Sequence, residues 1–296
     1  MIKRILVPLD GSELAEQVLP YASEFARRAG AELILLTSIQ PVGIWDATAT
    51  AINWEREERV AQEYLDAQKE RLQAAGVKVR AKREHGEAAA GILETAETEN
   101  VDLIAISTHG RSGLSRWLFG SVADRVVQGA HVPLLMIRPD TNKPAPSAVF
   151  QKLLVPLDGS EVAASVLPFV EEVTKLFGAS LVLYHAVQPI SAYPGFETVN
   201  PQLDGQVLQE MQQQAKELLS RAAHDIGERG VNATVAVSID LAVDGILRAA
   251  KETGADLIAI GTHGRSGLGR LVMGSVANAV MRRATLPCLL VHPSGK

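Results

Sequence analysis

The sequence predicts two α/β domains in tandem, each a doubly wound parallel sheet with helices on both faces. Three observations carry this. The first is internal repetition. Val7-Pro8-Leu9-Asp10-Gly11-Ser12-Glu13 recurs as Val155-Pro156-Leu157-Asp158-Gly159-Ser160-Glu161, and Thr108-His109-Gly110-Arg111-Ser112-Gly113-Leu114 recurs as Thr262-His263-Gly264-Arg265-Ser266-Gly267-Leu268. The second is the alternation, within each copy, of short continuous apolar runs with amphipathic stretches. The third is length: 296 residues suit two domains of ordinary size. The first block repeats after 148 residues and the second after 154, which is taken as a six-residue insertion in the first copy. It falls between Gln40 and Gly76, near Trp45 and Trp54. The expected divisions are 1–140, a proline-rich linker over 141–150, and 151–296.

In the first copy, Ile5 to Leu9 is apolar on both faces and reads as a buried strand. Glu13 to Ala29 reads as one helix, with Leu14, Val18, Tyr21, Ala22 and Phe25 on one face and Gly30 as its stop. Leu33 to Ile39 is a second strand, and about Trp54 to Ala75 a long polar helix ended by Gly76. Then come a strand over Val77 to Arg83, a helix over Glu87 to Glu99 and a strand over Val101 to Ser107. A helix from Ser121 to Gly129 and a strand from Pro133 to Ile137 close the unit. The second copy follows the same order. Parallel strands joined by right-handed helical crossovers produce a doubly wound sheet.

Composition narrows the function. Apolar residues make up 47% of the chain, enough for a real core, and the net charge of −5 leaves no basic field for nucleic acid. No stretch approaches the roughly 20 apolar residues that span a bilayer. The N-terminal apolar run is broken by Pro8 and Asp10, too soon for a signal peptide, so a cytoplasmic protein is expected. Cys288 is alone and sits in an apolar run, which excludes an internal disulfide and points to a buried, unreactive thiol.

Ligands of doubly wound sheets bind at the carboxyl ends of the strands, where strand order reverses. Two segments with suitable chemistry stand at strand ends. One is Asp-Gly-Ser after the first strand, at Asp10 and Asp158. The other is the glycine-rich stretch after the fourth strand, which in the second copy runs Gly261-Thr262-His263-Gly264, nine residues, then Gly274-Ser275 opening a helix. Glycines let backbone amides approach an anion, and a helix N-terminus favours negative charge. Arg265, Ser266 and Gly267 lie within the loop. The competing interpretations are turn-making glycines with Ser275 as an ordinary N-cap, and aspartates that only cap the turn into the next helix. No P-loop pattern and no Gly-x-Gly-x-x-Gly after the first strand is present.

These residues, together with the terminal Leu286-Pro287-Cys288-Leu289-Leu290-Val291, resemble the universal stress protein family in a tandem form. The second copy matches the G-x2-G-x9-G-[ST] pattern of the family's ATP-binding members in full. The resemblance implies a sheet of order 3-2-1-4-5 in each unit. It implies ATP, or AMP or ADP, as the ligand, with Mg2+ a candidate companion of the phosphates. In the second unit the nucleotide set would be Pro156, Leu157, Asp158, Ser160, Ala186, Gly261 to Gly267, Gly274, Ser275 and Val276. Asp158 would stand near ribose and adenine, the backbone at Ala186 at the adenine edge, and the glycine loop at the phosphates. The first unit's counterparts are Pro8, Leu9, Asp10, Ser12, Ser38, Ser107, Thr108, His109, Gly110, Arg111, Ser112, Gly113, Gly120, Ser121 and Val122.

Ser107 stands where the pattern has its first glycine. Were that backbone to require φ > 0, serine would be strained there, and the second site is expected to be the better one. His109 and His263 lack a nucleophile partner or metal-ligand spacing and are assigned to positioning or packing. His185 is assigned to the core, Trp54 and Trp45 to packing or a lid over the first site. Gln206 to Arg221 reads as an amphipathic surface helix. The family also implies pairing through last strands, either as an internal pseudo-dimer of the two units or as a homodimer. The leading expectation is an adenine-nucleotide-binding stress or signalling protein without fast catalysis. The alternatives are a slow ATP hydrolase or adenylyl-transfer enzyme and a nucleotide-independent dimerisation scaffold.

Overall fold

A computed structural model describes residues 1–40, 47–108, 120–139, 149–189, 201–262 and 273–292, with backbone alone for 47–53 and 201–203. The chain divides into two units, Met1–Val149 and Phe150–Lys296. The first unit runs β1 (Arg4–Pro8), α1 (Glu13–Glu16), α2 (Leu19–Ala29), β2 (Glu32–Ile39), α3 (Ala47–Ala74), β3 (Lys78–His85), α4 (Ala88–Thr98), β4 (Leu103–Ser107), α5 (Ser121–Gly129) and β5 (Leu134–Ile137). The second repeats it as β6 (Lys152–Pro156), α6 (Glu161–Ala164), α7 (Leu167–Phe177), β7 (Ser180–Val187), α8 (Pro201–Glu228), β8 (Ala233–Ile239), α9 (Ala242–Thr253), β9 (Leu257–Gly261), α10 (Ser275–Arg283) and β10 (Cys288–Val291).

All pairings within each unit are parallel. In the first unit β1 lies between β2 and β4, with Ile5 beside both Leu33 and Leu103. β3 adds outside β2, and β5 outside β4, so the order is 3-2-1-4-5. The second unit has the equivalent order β8-β7-β6-β9-β10. The central strands are buried on both faces: Ile5, Leu6, Val7, Leu103, Ile104 and Ala105 are inaccessible, as are Leu153, Leu154, Val155, Leu257, Ile258 and Ala259. That is why they read as unbroken apolar runs, each large side chain contributing about 1.5–3 kcal/mol by leaving water.

Successive side chains of β3 show the two helical layers. Glu84 lies under Gly91 of α4, while the next residue, His85, donates from Nε2 to the Glu58 carboxylate of α3 at 2.9 Å. At the amino ends of the strands, Asp102 accepts from the amides of Lys3 and Arg4 at 2.7 and 2.9 Å. Asp256 does the same for Gln151 and Lys152 at 2.8 and 3.1 Å. This clamp pins the fourth strand to the first at the end of the sheet away from the carboxyl-end loops.

Three expectations are corrected. The helix after β1 is not continuous but splits into α1 and α2, because Pro20 stands at the start of α2, where a proline ring fits a first turn and not a helix interior. The long helix begins at Ala47 rather than Trp54, and it has the same 28 residues as α8. The six extra residues belong to the second copy, not the first: seven residues connect β2 to α3, thirteen connect β7 to α8. Most of the linker (140–148) and Trp45 and Trp117 lie outside the described residues. Cys288 is buried at 3% exposure, and burial pushes its thiol up to about 12, consistent with the inert thiol expected.

Candidate functional site

Strand order reverses beside β1 and β6: the chain leaves to one side for the second and third strands and returns on the other for the fourth. A cleft opens there in each unit, at the carboxyl ends of the strands. The second unit's cavity, of about 350 Å3, is lined by Pro156, Leu157 and Asp158 after β6, by Tyr184 to Gln188 on and after β7, and by Gly261 and Thr262 ending β9. Gly274, Ser275, Val276 and Ala277 close it at the start of α10. The first unit's cavity, about 680 Å3, has the equivalent lining: Pro8, Leu9, Asp10, Leu36 to Gln40, Ser107, Thr108, and Gly120 to Ala123. Segments separated by over a hundred residues thus meet in one concavity of a size ordinary for small ligands.

The aspartate is held by its own turn. Asp158 Oδ1 accepts from the Ser160 amide at 2.9 Å and hydroxyl at 2.6 Å, while Ser160 Oγ accepts from the Ala163 amide at 3.1 Å as the N-cap of α6. Asp10, Ser12 and Ala15 repeat this at 3.0, 2.6 and 3.1 Å. The turn closes through Gly159 and Gly11 at φ of 82° and 81°, where a side chain would be strained. The sequence assigned Ser12 and Ser160 to the ligand. The structure places them behind the aspartates as caps, outside the cavity lining, because each hydroxyl is committed to the backbone and the carboxylate.

The helix that faces the aspartate is open. The N-cap of α10 is Gly274 and that of α5 is Gly120, and among the described residues no side chain caps either first turn. Ser275 and Ser121 are therefore the first helical residues and not the N-caps. The first-turn amides have no intrahelical acceptor and lie in the cavity wall, a partial positive charge available to an anion. The Gly274 amide donates to the Thr262 carbonyl at 2.7 Å, and Gly120 to Thr108 at 2.9 Å, which ties the helix start to the fourth-strand end. Thr262 and Thr108 are buried at 1% and 5%, so they brace the wall.

Gly261 ends β9 in register with Val291 and has extended backbone, as has Ser107 opposite Ile137 in β4. The conditional strain argument against Ser107 therefore falls: its φ is one that serine adopts freely. His109, Gly110, Arg111, Ser112 and Gly113, and equally His263, Gly264, Arg265, Ser266 and Gly267, lie outside the described residues.

The two clefts differ in several of their lining side chains. His185 was assigned to the core, but it lines the second cavity half-buried, with Nδ1 2.7 Å from the Leu157 carbonyl. A carbonyl only accepts, so Nδ1 carries a proton and donates it. Thr37 holds the same place in the first unit, donating to the Leu9 carbonyl at 3.0 Å. The long helix supplies Met211 to the second cleft but Glu57, Val60 and Tyr64 to the first. The Tyr64 hydroxyl is buried without a well-formed hydrogen bond, and burial, then the Glu16 carboxylate, holds its pKa above the ordinary phenol range. Aligning the copies at a displacement of 148 residues pairs His185 with Thr37, and at 154 pairs Met211 with Glu57. Trp54 packs on His85 with ring centroids 4.8 Å apart and is not in the first cavity's lining. Among the described residues no three His, Cys, Asp or Glu side chains are grouped to hold a metal ion.

A duplicated doubly wound domain with a cleft at each switch point, where a carboxylate faces a helix N-terminus, defines a class of tandem α/β proteins. The comparisons narrow it. The sequence model of the universal stress protein family matches residues 1–138 and 150–292, so the chain belongs to the universal stress protein family. A universal stress protein of Methanocaldococcus jannaschii is 32% identical over 146 residues, 47% of this chain and 83% of the relative. The universal stress protein YxiE of Bacillus subtilis is 31% identical over 148 residues, 49% of this chain and all of the relative. One from Mycobacterium bovis is 28% identical over 199 residues, 67% of this chain and 64% of that protein. A universal stress protein structure from Archaeoglobus fulgidus superimposes over 98% of both chains with a TM-score of 0.74 at 23% identity, which establishes the shared fold.

Proposed function

We propose that this protein binds adenine nucleotide in its switch-point clefts and acts in a stress response or signalling without fast catalysis. The observation that carries the proposal is the convergence, in one cavity, of Asp158, the end of β7 at Ala186, and the open N-terminus of α10 at Gly274-Ser275. The three suit the three parts of a nucleotide: a carboxylate for sugar hydroxyls, strand backbone for a base edge, and helix amides for phosphate. The same three features recur around Asp10, Ser38 and Gly120-Ser121. ATP is the expected ligand, with AMP and ADP as competitors. Mg2+ would enter with the phosphates, since each cleft lining holds few carboxylates.

The test is direct. Purified protein is denatured and its supernatant run on HPLC, then nucleotide-free protein is titrated calorimetrically with ATP, ADP and AMP, with and without Mg2+. Binding that weakens about tenfold or more in Asp158→Ala and in Ser275→Glu, which sets a negative charge at the helix start, supports the proposal. No co-purifying nucleotide together with flat titrations refutes it. Mg2+-dependent turnover abolished by Asp158→Ala would instead make the protein a slow ATP hydrolase.

A further inference from the structure

The outer strands of the two sheets are the same element in a duplicated fold, yet their chemistry is opposite. β3 carries Lys78, Arg80, Lys82, Arg83, Glu84 and His85. Arg80 bridges Glu32 at 3.2 Å and Glu99 at 2.7 Å, and Lys82 bridges Glu84 at 2.9 Å and Glu99 at 3.4 Å. An edge so charged resists pairing with a foreign strand. β8, Ala-Thr-Val-Ala-Val-Ser-Ile over residues 233–239, has no charged residue at all. The replacement reaches every partner of the network: Thr234, Ala236 and Ser238 stand for Arg80, Lys82 and Glu84, while Ser180 and Thr253 stand for Glu32 and Glu99. Ile239 is 39% exposed and Leu241, just beyond the strand, 50%. Their first-unit equivalents are His85 and Glu87. Among the described strands of its own unit, β8 pairs with β7 alone, so its outer row of amides and carbonyls is unpaired within that sheet.

We propose that the β8 edge is an interaction surface for a second copy of this chain, joined by antiparallel pairing of the two β8 strands about a two-fold axis. The strand suits its own copy. With the axis at Ala236, the smallest residue near the middle, Val235 faces the second copy's Val237, and Thr234 faces its Ser238. These are a β-branched pair on one face and a hydroxyl pair on the other, both favourable cross-strand neighbours. Beyond them Asn232 meets Asp240, so no like charges oppose each other. A two-fold contact must be complementary to itself, and a strand lacking charge satisfies this where β3 does not. The surface is distinct from the last strands, β5 and β10, and from both clefts.

Sedimentation equilibrium of the full chain tests this. The expected mass is twice the 31.7 kDa of the chain, with association weakened at least about tenfold in favour of monomer by Val235→Lys/Val237→Lys, whose lysines confront their copies. Ala81→Lys on β3 should leave the mass unchanged. Circular dichroism and a thermal melt confirm that the lysine variant folds. Ala236→Cys places two thiols on the axis with Cα atoms about 4.5–5.5 Å apart, within disulfide range, and should cross-link on mild oxidation while the buried Cys288 does not. A monomeric wild type, or a dimer indifferent to the lysines, overturns the proposal. Loss of the dimer in the lysine variant without cross-linking of Ala236→Cys overturns the axis at Ala236.

Discussion

Replacing Gly245 by alanine should destabilise the second unit, whereas the same change at its repeat, Gly91, should not. Both glycines lie in the first turns of helices, α9 and α4, where alanine normally gains about 1 kcal/mol. At Gly91 a methyl group would meet Glu84 Cβ at 3.3 Å and Ser38 Oγ at 3.5 Å, contacts that a small adjustment of an edge residue relieves. At Gly245 it would overlap the Tyr184 hydroxyl and come within 3.0 Å of Asp240 Cβ. Tyr184 is 1% exposed and its hydroxyl shares a hydrogen bond of 2.7 Å with Ser238. Relieving the overlap by shifting the ring would break that bond and strand a buried hydroxyl, at about 1–3 kcal/mol. Overpacking adds about 1–3 kcal/mol. Set against the helix gain, Gly245→Ala should cost about 1–5 kcal/mol and Gly91→Ala between about zero and a 1 kcal/mol gain. Urea unfolding followed by circular dichroism reads both. Repeating Gly245→Ala in a Tyr184→Phe background should shrink its cost by at least about 1 kcal/mol, because the clashing oxygen is gone. Equal effects of the two alanines, or no coupling to Tyr184, would refute the contact. Since the new methyl also lies 3.4 Å from Ala186 Cβ, ATP titrations of Gly245→Ala should show a loss confined to one of the two sites.

Ser160→Ala should lower stability by about 1 kcal/mol through loss of the N-cap and release of the Asp158 turn, measured by the urea midpoint. An unchanged midpoint would mean that the turn holds itself. A pH dependence resides in the first unit. Arg80, then Lys82, hold the Glu99 carboxyl below the ordinary carboxylate range. A depressed carboxylate contributes stability above its unfolded value, near 4.5, and loses it as pH falls through the folded value. Thermal melts should therefore show wild type and Arg80→Ala converging below about pH 4 and separated at neutral pH. Because Arg80 and Glu99 are both partly exposed, with side chains 35% and 26% accessible, the separation should be small and should narrow further in high salt.

Much of this molecule is present in its residues taken in order. The repeat blocks show duplication, and the apolar runs at Ile5–Leu9 and Leu103–Ile106 are continuous because those strands are buried on both faces. The Asp-Gly-Ser turns and Gly-Ser helix starts are local devices whose spacing announces them. What depended on tertiary structure were the choices among contacts that the chain makes far from itself. Ser160 has the chemistry of a ligand donor, but its hydroxyl is already bonded to Asp158 and the Ala163 amide. His185 sits in an apolar run like a core residue, yet its strand ends at the cleft, and pairing with β6 turns the ring to the Leu157 carbonyl. The six extra residues, by contrast, are placed by the offsets themselves, since a displacement that grows from 148 to 154 makes the second copy the longer. The opposite characters of β3 and β8 acquire meaning once both are seen to be the outer strands of their sheets. Hydrophobic periodicity and turn chemistry are local and survive in the sequence. Hydrogen-bond commitment, cleft walls and sheet edges are properties of neighbours in space, and folding alone decides who those neighbours are.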